Sequence, residues 1–348
     1  MNELVAELTH SLDAENPWPG LMPFTEATQA FFHGREAEAA ELLRRVRRER
    51  LTILFGQSGL GKTSLLCAGL FPRLRAADFL PVYLRLDWTT AHISPLSQIK
   101  QALADNLAEH GVEGRAPGSD ETLWAYFHDK ETEFWNRRNR LITPVAVFDQ
   151  FEEIFTLGHG VASAWAVLDE LAAIIENRPP ANVRSALEDD PEGARRYDFG
   201  KESCRVILAL REDFLPDLEG LRRLSSIMEN RMRLTRMNGR QARDAILASG
   251  SQLIAPGVAE KVIAFVAASR RRADEEPVGE RELAGLEIEP ALLSIVCSEL
   301  NNKRIRPARR KSPRICSKAR SRRLSGNSTH RASPVSTRRC SCSSRSNC

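Results

Sequence analysis

The sequence predicts an α/β fold in which five parallel strands form one sheet and a helical region follows it. Short apolar segments rich in β-branched residues alternate with amphipathic helical patterns, which is typical of a buried sheet between helices. The first apolar segment runs directly into a glycine-rich loop. Beyond residue 238, apolar residues recur at the spacing of helices rather than of strands.

The predicted elements follow one another in chain order. Gly34 to Glu36 begin a helix that buries Leu42, Leu43 and Val46 and exposes a row of arginines. The predicted strands are Leu51–Phe55, Leu80–Trp88, Thr143–Phe148, Arg205–Leu210 and Arg231–Arg236. The predicted helices of the sheet region are Thr63–Leu70, which Pro72 closes, a helix that starts at Pro95, Asp120–Arg138 and Val161–Asn177. The predicted helices of the C-terminal region are Gly239–Ser249, Pro256–Ser269 and Pro290–Asn301.

The loop after the first strand spells G-x-x-x-x-G-K-T, the pattern of a phosphate-binding loop. Glycines at 56, 59 and 61 let successive backbone N–H groups point at one anion. Lys62 would reach the β- and γ-phosphates, Thr63 would offer its hydroxyl to Mg²⁺, and the following helix would direct its positive end at the phosphates. The predicted nucleotide-binding residues of this loop are Gly56, Gln57, Ser58, Gly59, Leu60, Gly61, Lys62, Thr63 and Ser64.

A second group of candidate residues follows the strand Thr143–Phe148. Asp149 stands at its tip, where a carboxylate suits Mg²⁺ coordination, so Thr63 and Asp149 are the predicted metal residues. Hydrolysis also needs a carboxylate that orients and deprotonates water. Glu152 or Glu153 would supply it, and the spacing leaves the choice between them open.

The strand Arg205–Leu210 ends on Arg211. Ligands of open parallel sheets bind at the carboxyl ends of the strands, so Arg211 is predicted to sense a γ-phosphate; the alternative is a surface salt bridge. Three further arginines could act as an arginine finger, and the sequence gives no choice among Arg222, Arg223 and Arg231.

Composition favours a soluble cytoplasmic protein. The chain is 42% hydrophobic and 28% charged, it contains no apolar run near 18 residues, and its N-terminus lacks the basic and apolar regions of a signal peptide. No contact with a membrane is therefore expected. The seven cysteines match neither a zinc-site spacing nor a disulfide framework, which favours a reducing compartment.

The last 45 residues differ in composition from the rest. Residues 304–348 hold fourteen Lys or Arg and no acidic residue, whereas residues 1–303 carry ten more acidic than basic residues. Since this segment has no apolar periodicity, we expect it to be disordered. The abrupt change favours a truncated gene or a shifted reading frame. The alternative is a basic arm that binds nucleic acid electrostatically, and nucleic acid is not expected as a partner otherwise.

Several anchors in a fixed order resemble the bacterial STAND class of signal-transduction NTPases, in particular the group called novel STAND NTPase 1. The resemblance covers roughly residues 16–303 and is carried by Asn16–Leu21, Pro23–Phe24, Phe32–Glu36, the loop at 56–63, Phe148–Glu153 and Leu208–Phe214.

This resemblance implies a P-loop NTPase core of three layers, with an additional central strand in a five-stranded parallel sheet and an α-helical lid domain after it. Residues 1–33 would form an N-terminal helix and an adenine-side segment, 34–237 the core, 238–303 the lid and 304–348 a basic tail. The Gly34–Arg35 turn would lie by the adenine. ATP and Mg²⁺ are the implied cofactors, and Arg211 is the implied sensor.

Members of this class act as switches that are closed with nucleotide and oligomerise when a C-terminal sensor detects a signal. The resemblance therefore implies an ATP- and ADP-binding signalling module with slow hydrolysis, a nucleotide-dependent homo-oligomer, and a protein partner or a missing sensor region. One alternative is a fragment that binds nucleotide without hydrolysing it. Another is a P-loop kinase, although the string Asp149 to Glu153 suits water better than an acceptor substrate.

Overall fold

A computed structural model describes residues 12–89, 92–158, 162–190, 192–221, 224, 229–268 and 283–309. Within them, five parallel strands form one sheet in the order β2-β3-β4-β1-β5. The strands are β1 (Leu51–Gly56), β2 (Phe79–Leu84), β3 (Thr143–Phe148), β4 (Arg205–Arg211) and β5 (Arg231–Arg233). Because β4 lies between β1 and β3, the prediction of an additional central strand is confirmed.

Helices cover both faces of this sheet. Those of the sheet region are α1 (Glu36–Arg48), α2 (Lys62–Ser64, Leu65–Leu70 and Phe71–Ala76), α3 (Pro95–Glu109), α4 (Leu123–His128), α5 (Glu153–Thr156), α6 (Ala162–Ile175), α7 (Ala181–Asp189) and α8 (Leu215–Glu219). The C-terminal region contributes α9 (Gly239–Gly250), α10 (Pro256–Ala268) and α11 (Pro290–Arg309). Short 3₁₀ turns lie at Glu26–Phe31, Gly193–Arg196, Glu212–Phe214 and Leu283–Gly285.

The sheet separates two hydrophobic clusters, so its central strands are apolar on both faces. In β4, Ile207 and Ala209 pack with α1 and α2, whereas Val206 and Leu208 pack with α3, α4 and α6. Each buried Ile, Leu or Val side chain contributes roughly 1.5–3 kcal/mol to folding. This double burial explains why the strands read as continuous apolar runs rather than as alternating patterns.

Two strands end earlier than predicted because their neighbours end. The prediction of β2 as far as Trp88 was wrong, since β2 ends at Leu84, which pairs with the last residue of β3. The prediction of β5 as far as Arg236 was also wrong, because its pairing with β1 stops at Arg233. Strand hydrogen bonds need a partner, and apolar content alone does not supply one.

The helix that follows the phosphate loop does not close at Pro72. Leu65–Leu70 form a π-helical stretch, in which the Phe71 N–H donates to the carbonyl of Leu66. Pro72 therefore lies in the first turn of the next α-helical stretch, where a missing N–H removes no intrahelical bond. The helix continues to Ala76.

The helix predicted from Asp120 to Arg138 is much shorter. It ends at His128 because Asp129 adopts an extended conformation and its carboxylate accepts the N–H of Glu131 at 2.9 Å. Such a local bond competes with helix continuation. The same carboxylate is fully buried against Arg196 (2.7 Å) and Arg115 (3.3 Å), which fixes the break.

The C-terminal region has a hydrophobic core of its own but is not wholly helical. Residues of α9, α10 and α11 pack around Trp18 from the N-terminal segment, including Ile246, Ile263 and Leu293. Two short antiparallel strands, β6 (Met237–Asn238) and β7 (Glu287–Ile288), join its ends. Two-residue strands leave no periodic pattern, so sequence reasoning could not find them. We call residues 237–309 the helical domain.

Close backbone contacts attach the helical domain to the core. Gly34 has a φ of +82°, and a Cβ at this position would lie 2.4 Å from the carbonyl oxygen of Gln241 in α9. The Gln241 side chain donates to Glu38 of α1 at 2.8 Å, and the buried Arg35 donates to the carbonyl of Thr235 at 2.7 Å. Gly34 therefore lies directly at this interface, and Arg35 binds the chain two residues before the helical domain begins.

We expect Gly34→Ala to destabilise the protein. The left-handed conformation alone costs a non-glycine residue about 1–2 kcal/mol, and the contact with Gln241 adds to that cost. Chemical denaturation would measure the loss. Gly257→Ala is the matched control, because a Cβ there meets no atom within 4 Å and φ is not positive. Equal stability of Gly34→Ala and the parent protein would contradict the interface.

Candidate nucleotide site

The predicted site residues meet at one edge of the sheet because its strands are parallel. In the pairing register, Gly56 at the end of β1 is opposite Arg211 at the end of β4. Phe148, just before Asp149, is opposite Leu208 of β4. The loop of residues 56–63, which we call the phosphate loop, thus begins beside Arg211, and Asp149 follows the next strand but one along the same edge.

The glycines of the phosphate loop are needed for two reasons, the backbone conformation and the space around the loop. Gly59 and Gly61 have φ values of +79° and +82°, which are unfavourable for residues that carry a Cβ atom. A Cβ on Gly56 would lie 2.5 Å from the carbonyl oxygen of Leu234, whereas a Cβ on Gly61 would meet nothing within 4 Å. The space beside Gly61, at the start of α2, is where a side chain would intrude on a bound anion. Leu60 instead packs in the core.

Lys62 folds back over the phosphate loop. Its ammonium donates to the carbonyl oxygens of Gly56 (2.9 Å) and Gln57 (3.0 Å). Burial lowers the pKa of Lys62, and the carboxylates of Glu152 and Asp149 oppose that shift. A partly desolvated cation held by two neutral carbonyls gains strongly from an anion placed beside it.

Asp149 is buried, and both of its carboxylate oxygens are fixed. Oδ2 accepts hydrogen bonds from the Thr63 hydroxyl at 2.6 Å and from the Tyr83 hydroxyl at 3.0 Å. Oδ1 accepts the N–H of Gln150 at 3.0 Å. Gln150 has a φ of +55°, a strained value for a non-glycine residue, and the next N–H, of Phe151, donates to Ala209 of β4.

The donor set around Asp149 fits a hard divalent cation. Mg²⁺ is usually held by one or two protein oxygens together with waters and phosphate oxygens. Thr63 Oγ1 and Asp149 Oδ2 are 2.6 Å apart at the start of α2 and supply two such oxygens. Among the described residues, no group of three or more His, Cys, Asp or Glu is placed to hold a metal ion.

The geometry separates the two glutamates that the sequence left equivalent. Glu153 lies in α5 and pairs with Arg85 at 2.9 Å. Glu152 points the other way: its Oε2 accepts the N–H of Arg211 at 3.2 Å, and its charge is among those acting on Lys62. Of the two, Glu152 faces the phosphate loop.

The Arg211 side chain turns to a neighbour on its own loop. Its guanidinium pairs with Asp213 at 2.5 Å and lies over the ring of Phe214 at 5.8 Å. Its backbone N–H, in contrast, holds Glu152. A sensing role would require the Arg211 guanidinium to leave Asp213. Of the finger candidates, Arg231 pairs with Glu219, while Arg222 and Arg223 lie outside the described residues.

Ser64 receives part of the N-terminal segment. Its hydroxyl accepts the N–H of Phe24 at 3.1 Å, and Glu26 pairs with Arg75 of α2 at 2.8 Å. The same segment reaches the helical domain, where Trp18 packs against Gly250. Residues 16–32 thus link α2 to the helical domain.

The helical domain, which the sequence predicts as a lid, also contacts the phosphate loop itself. The carbonyl of Gly59 accepts the N–H of Ala291 in α11 at 3.3 Å, and a Cβ on Gly59 would lie 2.8 Å from Glu289 Oε1. Arg236 donates to Gln57 Oε1 at 2.7 Å and to Glu287 Oε2 at 2.9 Å. The contacts of Gly59 with Ala291 and of Gln57 with Arg236 join residues that are more than 170 positions apart, at spacings that no local motif encodes.

A comparison with known protein families gives a match over most of the chain. The family model described as novel STAND NTPase 1 matches residues 17–268, which is most of the chain. The chain belongs to the novel STAND NTPase 1 family. The match includes the phosphate loop, Asp149, Glu152 and Arg211, and it confirms the resemblance drawn from the sequence.

Several solved structures align with this chain at low sequence identity. The Orc1 protein of Aeropyrum pernix, in complex with DNA, aligns at 15% identity with a TM-score of 0.42, over 78% of this chain and 61% of that one. The Walker-type ATPase of Pyrococcus abyssi aligns at 15% identity with a TM-score of 0.42, over 84% of this chain and 80% of that one. The Orc2 protein of Aeropyrum pernix aligns at 13% identity with a TM-score of 0.44, over 77% of this chain and 67% of that one.

No curated protein matches this novel STAND NTPase 1 member in sequence. None of the helices within the described residues could span a lipid bilayer.

We expect Lys62→Ala to abolish the rise in melting temperature that nucleotide causes, since it removes the cation nearest the phosphate loop. The protein itself should stay folded, because Lys62 donates only to two loop carbonyls. Differential scanning calorimetry with and without ADP would measure both effects. Lys100→Ala is the matched control, as Lys100 likewise donates to two loop carbonyls, those of Gly118 and Ser119. A full nucleotide response in Lys62→Ala would contradict the site.

Proposed function

We propose that this chain is a regulatory ATPase module, in which Mg·ATP binds the phosphate loop, is slowly hydrolysed, and sets the position of the helical domain. The observation that carries the proposal is the direct contact between the two parts. Gly59 of the phosphate loop accepts the N–H of Ala291, and Arg236 joins Gln57 to Glu287. Phosphates that order the loop would therefore act on α11 without an intermediary.

The residues at the strand ends divide the chemistry among them. Lys62 would bind the β- and γ-phosphates once its bonds to the loop carbonyls are exchanged for phosphate oxygens. Thr63 and Asp149 would hold the cation, which when bound neutralises charge on the phosphate oxygens. Gly61 keeps the backbone clear of a side chain on the side where the anion would bind, because a Cβ there would meet no protein atom within 4 Å.

Glu152 is our candidate for the general base. It is held by the N–H of Arg211 at the strand end next to the phosphate loop, whereas Glu153 is turned to Arg85. Glu152 would accept a proton from the attacking water as the water oxygen bonds to the γ-phosphorus, while the bond from that phosphorus to the β–γ bridging oxygen breaks and ADP leaves. Positioned bases of this kind contribute about 10²–10⁴ to a rate.

We expect Glu152→Gln to lower single-turnover ATP hydrolysis by about 10²-fold or more, because the amide cannot accept the proton. Glu153→Gln should stay within a few-fold of the parent rate, since Glu153 is engaged with Arg85. Both variants should bind ATP with the parent affinity. Release of ³²P-phosphate from radiolabelled ATP measures the rate, and filter binding measures the affinity.

The pattern of rates separates the alternatives. A large loss in Glu153→Gln alone would reverse the assignment of the base. Equal hydrolysis rates in the parent protein and both variants would mean that neither glutamate acts as the base. An absence of phosphate release from the parent protein, with ATP still bound, would indicate a binding module rather than an ATPase.

The contact between the phosphate loop and the helical domain provides the proposed switch. Arg236 is mostly buried. Its guanidinium donates to Gln57 in the phosphate loop and forms an ion pair with Glu287 of the helical domain. Hydrogen bonds to charged groups are worth about 1.5–3 kcal/mol. Loss of the γ-phosphate would free the loop to shift, and the surfaces exposed by movement of the helical domain would be available to a second copy or to a protein partner.

We expect Arg236→Ala to uncouple the helical domain from the nucleotide. In the parent protein, hydrogen exchange of residues 287–295 should differ between the ADP and Mg·ATP states. Removing one charged partner should raise the exchange of this segment by about tenfold in both states and shrink the difference between them.

Arg243→Ala is the matched control for this experiment. Arg243 pairs with Glu260 at 2.8 Å, so the substitution breaks an ion pair between α9 and α10 rather than a contact with the phosphate loop. Exchange that is the same with ADP and Mg·ATP in the parent protein would count against the switch. So would an undiminished difference in Arg236→Ala.

A further inference from the structure

Tyr83 makes a polar contact that its place in the fold does not require. It lies in β2, opposite Val147 of β3, and its ring meets the edge of Phe71 in α2 at 6.3 Å between centroids. Its hydroxyl donates to Asp149 Oδ2 at 3.0 Å, the same oxygen that accepts from Thr63 at 2.6 Å. One carboxylate oxygen is thus held by two hydroxyl groups from two different elements.

Packing alone does not explain the hydroxyl. The ring contact with Phe71 would be equally available to a phenylalanine, and Tyr83 as a residue is 37% exposed. A bond that replaces one to water adds little to the stability of the fold. Asp149 is different: it is only 3% exposed, and its orientation depends on the few donors around it.

We propose that Tyr83 is a positioning residue for Asp149, holding the carboxylate in the orientation in which it meets a divalent cation beside the phosphate loop. The inference rests on the proposed function, since it concerns the cation that accompanies the nucleotide. Thr63 and Asp149 supply the oxygens, and Tyr83 acts through Asp149. Donors that orient ligands in this way typically raise metal affinity by about 10–100-fold.

Removal of the Tyr83 hydroxyl oxygen should therefore weaken metal binding without weakening nucleotide binding. Tyr83→Phe should weaken Mn²⁺ binding to the ADP-bound protein by about tenfold. Binding of ADP in the presence of EDTA should be unchanged, because Tyr83 contacts the carboxylate and not the phosphate loop. Electron paramagnetic resonance of free Mn²⁺ measures the first affinity, and isothermal titration calorimetry the second.

Tyr126→Phe is the matched control. Tyr126 is buried in the same layer of the core as α3 and α6, and its hydroxyl donates to the backbone carbonyl of Arg115. This variant loses a tyrosine hydroxyl without touching Asp149, so its Mn²⁺ affinity should equal that of the parent protein. Asp149→Asn, which removes the charge itself, should abolish Mn²⁺ binding in the ADP complex.

The outcomes distinguish this inference from the proposed function. Parent-like Mn²⁺ affinity in Tyr83→Phe, with Mn²⁺ binding lost in Asp149→Asn, overturns the role of Tyr83 and leaves the proposed function standing. Equal losses of Mn²⁺ and metal-free ADP binding in Tyr83→Phe, or a fall in its melting temperature beyond that of Tyr126→Phe, identify a merely structural residue and also overturn it. A parent protein that binds ADP but no Mn²⁺ overturns both proposals.

Discussion

The hydrogen bond between Thr63 and Asp149 joins the two halves of the site, and the rest of the structure is arranged so that it can form. The two residues are 86 positions apart and follow β1 and β3, which are not neighbours because β4 lies between them. Only the parallel direction of all three strands brings their carboxyl ends to one edge. The central strand also contributes directly: its Ala209 carbonyl accepts the N–H of Phe151, which closes the turn that carries Asp149.

The phosphate loop has two faces, one toward the space for an anion and one toward the helical domain. A ligand on the first face can therefore affect the position of the helical domain. Gly61 opens toward the space that an anion would fill, while the carbonyl of Gly59 is bonded to Ala291 of the helical domain. A loop of eight residues held at both ends has few independent conformations, so an anion that orders one face constrains the other. The N-terminal segment adds a second connection, because Phe24 is bonded to Ser64 and Trp18 lies in the core of the helical domain.

Sequence reasoning succeeded where burial or a local motif determines the outcome, and failed where a distant contact does. The strand before Asp149 was predicted to the residue, since it is apolar on both faces and pairs along its whole length with β2. The phosphate loop is recognisable because its glycines, lysine and threonine are contiguous. The helix break at Asp129 depends on arginines at positions 115 and 196, which no local pattern reveals. Tyr83 was missed for the same reason: in the sequence it is one aromatic residue in a strand.

Three carboxylates within five residues show how partners, rather than residue type, divide roles at the site. Asp149 is enclosed and receives two hydroxyl groups on one oxygen, so it is fixed in place for a cation. Glu153 directs an oxygen to the guanidinium of Arg85, away from the phosphate loop. Glu152 has a single backbone N–H as its hydrogen-bond donor among these contacts, which orients the carboxylate and leaves lone pairs on both oxygens for water. The backbone of Arg211 therefore contributes to this site through its amide, independently of what its guanidinium does. A substitution at position 211 would remove the guanidinium and keep that amide, so the two contributions of this residue are separable.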